Sequence, residues 1–152
     1  MTIQVCNDRS LASITSLPSG VSGSSLVLLE TQTVSSSSTV SFTSNIDSTY
    51  KEYIFKFIDI HMATSDASFT VNFRDGGSNY DATKTTTFFR AYHNEGGSAQ
   101  ALTYSSSTDL AQSTSAQSII TSNGTDNDMS ASGTLHLFDP SNTTFVKHFL
   151  SD

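Results

Sequence analysis

The chain predicts an all-β protein: an antiparallel β-sandwich, jelly-roll-like, behind a short N-terminal leader. Three observations predict it. Residues 53–60 (YIFKFIDI) form a dense block of aromatic and β-branched side chains, which suits a pleated, buried strand. About a third of the chain is Ser or Thr, where globular proteins carry far less. Thr favours strands, and Ser and Asn favour turns because their side chains bond nearby backbone. Short alternating segments recur at even spacing with no βαβ pattern, as in sandwiches and jelly rolls.

The elements follow in order. Residues 1–25 read as a leader and linker. Leu11, Ile14 and Leu17 are spaced by three behind a candidate cap at Asn7 or Asp8, and Pro18, Gly20 and Gly23 break the run. This triplet is the candidate particle anchor, against the simpler reading of a frayed terminus. The β domain is expected over 26–152. Strands are expected over 25–34, with Val27, Leu29, Thr31 and Thr33 on one parity, and over 39–43, with Val40 and Phe42 inward and Ser41 and Thr43 outward. In 52–62, Tyr53, Phe55 and Phe57 share one face, and Ile54, Ile58 and Ile60 share the other with Lys56. Two apolar faces predict a central, sandwiched strand. Phe69, Val71 and Phe73 alternate with polar residues, the mark of a half-buried strand. The glycines of 75–79 (DGGSN) supply positive φ for a turn. A strand over 85–92, a turn over 93–97 and weaker strands over 99–104 and 115–121 follow. Residues 105–114 and 123–128 read as polar loops. Strands over 134–138 and 143–150 are joined by DPSN, with Pro140 placed for a type I turn, and form a hairpin. The total is eight or nine strands.

Composition excludes several classes. Net charge is −7, with only seven Lys and Arg scattered among 152 residues. No basic patch is available for phosphates, so neither nucleic acid nor an anionic membrane surface is an expected partner. Cys6 is the single cysteine, so no intrachain disulfide forms. No segment is long and apolar enough to span a membrane. The first residues lack a secretion signal, which predicts synthesis in a cytoplasm and permits later release in a particle.

Candidate chemistry is thin. His61, His93, His136 and His148 form no HxxxH or HxH pair, although His136 and His148 can approach across the expected hairpin; zinc needs further ligands. Asp126, Asn127 and Asp128 resemble hard-oxygen calcium ligands, without the EF-hand order or its closing Glu. No GxSxG elbow marks a nucleophile, and Glu30, Glu52, Asp59 and Glu95 show no spacing that singles out a catalytic pair. No enzyme, metal or cofactor is expected. Asn-X-Thr at 123–125 and 142–144 has no meaning without secretion. Tyr80, Tyr92 and Tyr104 lie near strand ends and are the candidate glycan contacts, because a sugar ring's apolar face stacks on an aromatic. Packing at the edge of the core is the plainer reading.

Five stretches carry a resemblance: SLVLLETQTVSSSSTVSFTS, IDSTYKEYIFKFIDIH, DGGSNYDATKTTTFF, DLAQSTSAQ and LFDPSNTTFVKHF. Covering most of 25–149, they are similar to structural proteins of tailed phages of marine bacteria, cyanobacterial phages among them. The likeness lies in strand and turn wording, with no catalytic motif. It implies a virion protein of the tail-fibre or appendage type, with other virion proteins and a homo-oligomer, trimer favoured, as partners, and a host surface glycan as a further candidate. It also implies more strands beyond 149, so the chain is expected to stop before the fold does. The expected function is attachment to the particle through the N-terminal segment, with 105–114 and 123–128 facing outward. A capsid decoration or cement protein and a carbohydrate-binding module are the alternatives.

Overall fold

A computed structural model describes residues 26–152. The leader with Leu11, Ile14 and Leu17 lies outside the described residues. The chain divides into two units, Met1–Asn45 and Ile46–Asp152, each described by itself.

In the first unit, residues 26–45 contain no strand, and the two expected there do not form. Alternation specifies which side chains share a face, but a strand also needs a partner for its N–H and C=O groups. Side chains organise this stretch instead. Gln32 Nε2 donates to Glu30 Oε1 (2.6 Å) and to Ser41 O (2.9 Å), and Ser44 Oγ donates to Glu30 Oε2 (3.2 Å).

The second unit is all-β, with seven strands among the described residues rather than eight or nine. They are β1 (Glu52–Ile60), β2 (Ala67–Val71), β3 (Phe89–His93), β4 (Gln100–Tyr104), β5 (Gln117–Asn123), β6 (Ala131–Phe138) and β7 (His148–Ser151). They form three sheets of order β1-β6-β7, β2-β5 and β3-β4, every pairing antiparallel. The pairs β1–β6, β2–β5 and β3–β4 are nested, like a long hairpin folded over, and the arrangement is consistent with a β-sandwich. The two four-stranded sheets of a jelly roll are not seen among the described residues.

The expected place of β1 is corrected. β6 is the central strand of the large sheet, and β1 lies outside it. The reason is local. Pairing is regular from Glu52↔Phe138 to Phe57↔Gly133, then slips before Ile60↔Ala131. Within this bulge Asp59 takes a left-handed backbone (φ 57°), its N–H donates to Ser132 Oγ (3.2 Å), and Ile58 turns out to 75% exposure. Of the second apolar face read from sequence, Ile58 is solvent-facing while Ile54 and Ile60 stay half-buried.

The inner face of this sheet makes the core. Tyr53, Leu135 and Leu137 are buried, with Ile46, Phe55, Phe57, Val71, Phe73 and Phe149 packed against them. Phe57 meets Phe69 edge-on at 4.9 Å between ring centroids, and Phe73 meets Phe149 at 5.0 Å. These pairs join the large sheet to β2 and the residues after it. Tyr53 keeps its hydroxyl satisfied: it donates to Asp47 O (2.9 Å) and accepts from Asp47 N–H (3.0 Å).

The β6–β7 hairpin forms as expected, but its return strand begins at His148. Asn142 is the cause. Its Oδ1 accepts from the N–H groups of Thr144 (2.8 Å) and Phe145 (3.0 Å), which holds the chain in a turn where pairing was expected.

Candidate functional site

The most exposed element is the hairpin β3–β4. Its connection is built by Asn94: the N–H donates to Ala99 O (2.9 Å), and Oδ1 accepts from Ala99 N–H (2.8 Å). Gly97 takes φ 68°, which a side chain would resist. The register pairs Phe89↔Tyr104, Ala91↔Leu102 and His93↔Gln100 on one face, and Arg90↔Thr103 and Tyr92↔Ala101 on the other. Only Ala101 is even half-buried. Phe89 is 68% and Leu102 81% exposed, so one face is an apolar stripe. An open cleft of ≈ 470 Å³ runs beside Ala91, Tyr92, His93, Gln100, Ala101 and Leu102. The hairpin's root is firm. Phe88 N–H donates to Asp109 Oδ1 (2.7 Å) and Ser105 N–H to Phe88 O (2.9 Å).

The three candidate tyrosines do not make one platform. Tyr92 and Tyr104 lie on opposite faces of this hairpin. The Arg90 guanidinium sits over the Tyr92 ring at 4.7 Å, and Arg74 over Tyr80 at 5.0 Å, so a ring face of each already carries a cation. The Tyr104 hydroxyl donates to Asp109. That bond, and the carboxylate's charge beside a developing phenolate, hold the Tyr104 pKa above its ordinary value.

The two expected outward loops differ. Residues 105–114 lie along 84–88, joined by one isolated bridge and single hydrogen bonds. Lys84 N–H donates to Ser113 O (2.8 Å), Ser113 N–H returns to Lys84 O (2.9 Å), and Thr86 N–H donates to Leu110 O (2.9 Å). Thr108, Asp109 and Leu110 are half-buried, so this stretch is part of the body and not the free loop expected. In the other, Met129 N–H donates to Asp126 O (2.9 Å), and His61 Nδ1 donates to Met129 O (2.7 Å). A cleft of ≈ 240 Å³ there is bordered by Asp59, His61, Asn127, Asp128, Met129 and Ser130. Among the described residues no group of three or more His, Cys, Asp or Glu sits together to hold a metal ion.

His136 and His148 do share the outer face of the large sheet, offset along it, since their ladder partners are Leu150 and Phe138. His136 Nδ1 is taken by Glu52 Oε1 at 2.7 Å.

Sequence reasoning passed over one cluster. Lys84 and Gln117 are the buried polar side chains among the described residues, at 6% and 3% exposure. Gln117 Nε2 donates to Ser118 O (2.8 Å), and its Oε1 accepts from the Thr86 hydroxyl. Lys84 Nζ donates to Ala82 O (2.7 Å) and to Asn72 Oδ1. The signal was present, because Ala82, Lys84, Thr86 and Phe88 share one parity with an aromatic and face inward together.

No protein-family model matches the chain, and no curated protein or solved structure is significantly similar to it.

Proposed function

We propose that the chain is a non-enzymatic structural part of a phage virion, a tail-fibre or appendage module synthesised in the host cytoplasm and attached to the particle through its N-terminal segment. The wording of the five stretches quoted above supports the virion reading. One structural observation supports an assembly part: three large apolar side chains are buried among the described residues, whereas eighteen are exposed. Monomers seldom leave so much apolar surface in contiguous patches without using it. A two-stranded hairpin wet on both faces is also marginal by itself. Association of copies, with a trimer favoured, covers such surface and the sheet edges together.

A capsid decoration protein is the second reading, and a specific observation favours it. Within the second unit exposed apolar residues lie on more than one element: Phe89 and Leu102 on the β3–β4 hairpin, and Phe145, Val146 and Leu150 in and before β7. A protein that clamps a shell buries several surfaces, and a fibre module docks through one end. The glycan reading loses ground, because Arg74 and Arg90 already occupy ring faces.

Sedimentation of the purified chain at high concentration tests association, with a trimer expected. A clean monomer would count against the whole proposal. Cryo-EM of a particle carrying the protein separates the two positions: density at a fibre attachment site supports the first, and density bridging capsid subunits supports the second.

A further inference from the structure

We propose that Lys84 and Asn72 form an intramolecular isopeptide bond, an amide between Lys84 Nζ and Asn72 Cγ. This stands apart from the virion reading and needs no partner.

Lys84 is 6% exposed, and among the described residues no carboxylate forms an ion pair with its ammonium group. Its acceptors are neutral: Ala82 O and Asn72 Oδ1. A buried ammonium without a counter-ion is unfavourable, and burial lowers the Lys84 pKa, while the more distant charges of Asp75 and Asp81 pull it back up. The neutral amine, which is the nucleophile, is thereby made accessible.

Its target is held ready. The hydrogen bond to Oδ1 puts Nζ beside the Asn72 carboxamide carbon. Asn72 Nδ2 donates to Tyr80 O (2.5 Å) and Thr114 O (3.1 Å), which fixes the amide plane. Phe73 N–H donates to Asn72 Oδ1 (3.0 Å), so a backbone donor already points at the oxygen that would take negative charge in the addition step. The Lys84 backbone is pinned to Ser113 on both sides. Nucleophile and electrophile are thus held on anchored segments, the arrangement that turns a slow bimolecular amidation into an intramolecular one.

The chemistry balances without a co-reactant. Lys84 Nζ gives one proton to solvent, attacks Cγ, and forms the new C–N bond. A second Nζ proton passes to Nδ2, the Cγ–Nδ2 bond breaks, and ammonia leaves and is protonated by solvent. The product joins the segment after β2 to the segment that runs beside 105–114.

Intact-mass spectrometry of the full chain in denaturant tests this. The expected mass is that of the sequence less one ammonia. Proteolysis should yield a branched species joining the peptides that contain residues 72 and 84, and Lys84 should resist amine acylation in denaturant. Lys84→Arg and Asn72→Ala should each restore the full sequence mass, a reading that does not require either variant to fold. A full-mass wild type with an acylable Lys84 would overturn the proposal. So would an ammonia deficit that persists in Lys84→Arg, which would trace it to another site such as an imide at Asn123-Gly124.

Discussion

Leu135 is the most deeply buried large side chain of the described residues, at 1% exposure, and it sits on the central strand of the large sheet. In a core this small its methyl groups have few substitutes. Leu135→Ala is expected to lower unfolding free energy by about 2–5 kcal/mol, the range for buried Leu truncations. Urea unfolding should show a lower midpoint at unchanged slope. Gly133 lies two residues earlier on the same inward parity, and it fails in the opposite sense. A Cβ there would stand 2.7 Å from the carbonyl oxygen of Asp152, which is backbone and cannot swing away. Thr134 and Asp152 exchange backbone bonds at 2.8 and 3.1 Å, so the strands are clamped at this contact. Gly133→Ala should therefore cost about 1–3 kcal/mol through overpacking. Thermal unfolding would check it, and an unchanged midpoint would mean that the end of β7 moves freely.

At the scale of elements, the β6–β7 turn carries a pH signature. Asp139 accepts from Asn142 Nδ2 (2.9 Å) and from Lys51 Nζ (2.9 Å), and these bonds hold its carboxyl pKa below the ordinary value, the Asn142 bond first. A depressed pKa means that the folded state favours the ionised form. The contribution is present above the unfolded-state pKa and fades as pH falls through the folded-state value. A carboxyl-resolved NMR titration should find Asp139 titrating at unusually low pH, and Asn142→Ala should move it upward. The pair with Lys51 is exposed, so global stability should shift little. Elements also show how much of the fold was legible. The inward trio Tyr53, Phe55 and Phe57, the β2 pattern and the β6–β7 hairpin followed from alternation and turn chemistry. Partner choice did not. Residues 25–34, with Val27, Leu29, Thr31 and Thr33 on one parity, read as a strand, yet 26–34 form none. The bulge at Asp59 and the docking of 105–114 depend on tertiary hydrogen bonds that no period reveals, and the Asn142 cap on a local side-chain bond that alternation does not show. Lys84 was hidden for a related reason: a lone Lys among threonines reads as a solvent-facing residue until Ala82 and Phe88 are placed on its side.

At the scale of the whole molecule, exposure of apolar side chains is where sequence and assembly meet. Phe89 and Leu102 are hardly buried by the chain's own body, so within a monomer they contribute little beyond the hairpin's own pairing. Changing both to Ser should cost the monomer only about 0.5–1.5 kcal/mol, chiefly the ring contact of Phe89 with Tyr104 at 5.3 Å. If the stripe is an intersubunit contact, the same double change should release the oligomer, because removal of apolar area from an interface core weakens association far more than it disturbs the free subunit. Sedimentation of Phe89→Ser/Leu102→Ser would then show a smaller species with the circular dichroism of the parent. Amide exchange adds an independent reading: β3 and β4 should exchange fast in the variant and slowly in the parent, since a wet two-stranded hairpin opens readily and a covered one does not. An oligomer that survives the change with β3–β4 still protected would place the contact elsewhere, with Phe145, Val146 and Leu150 the next surface to alter.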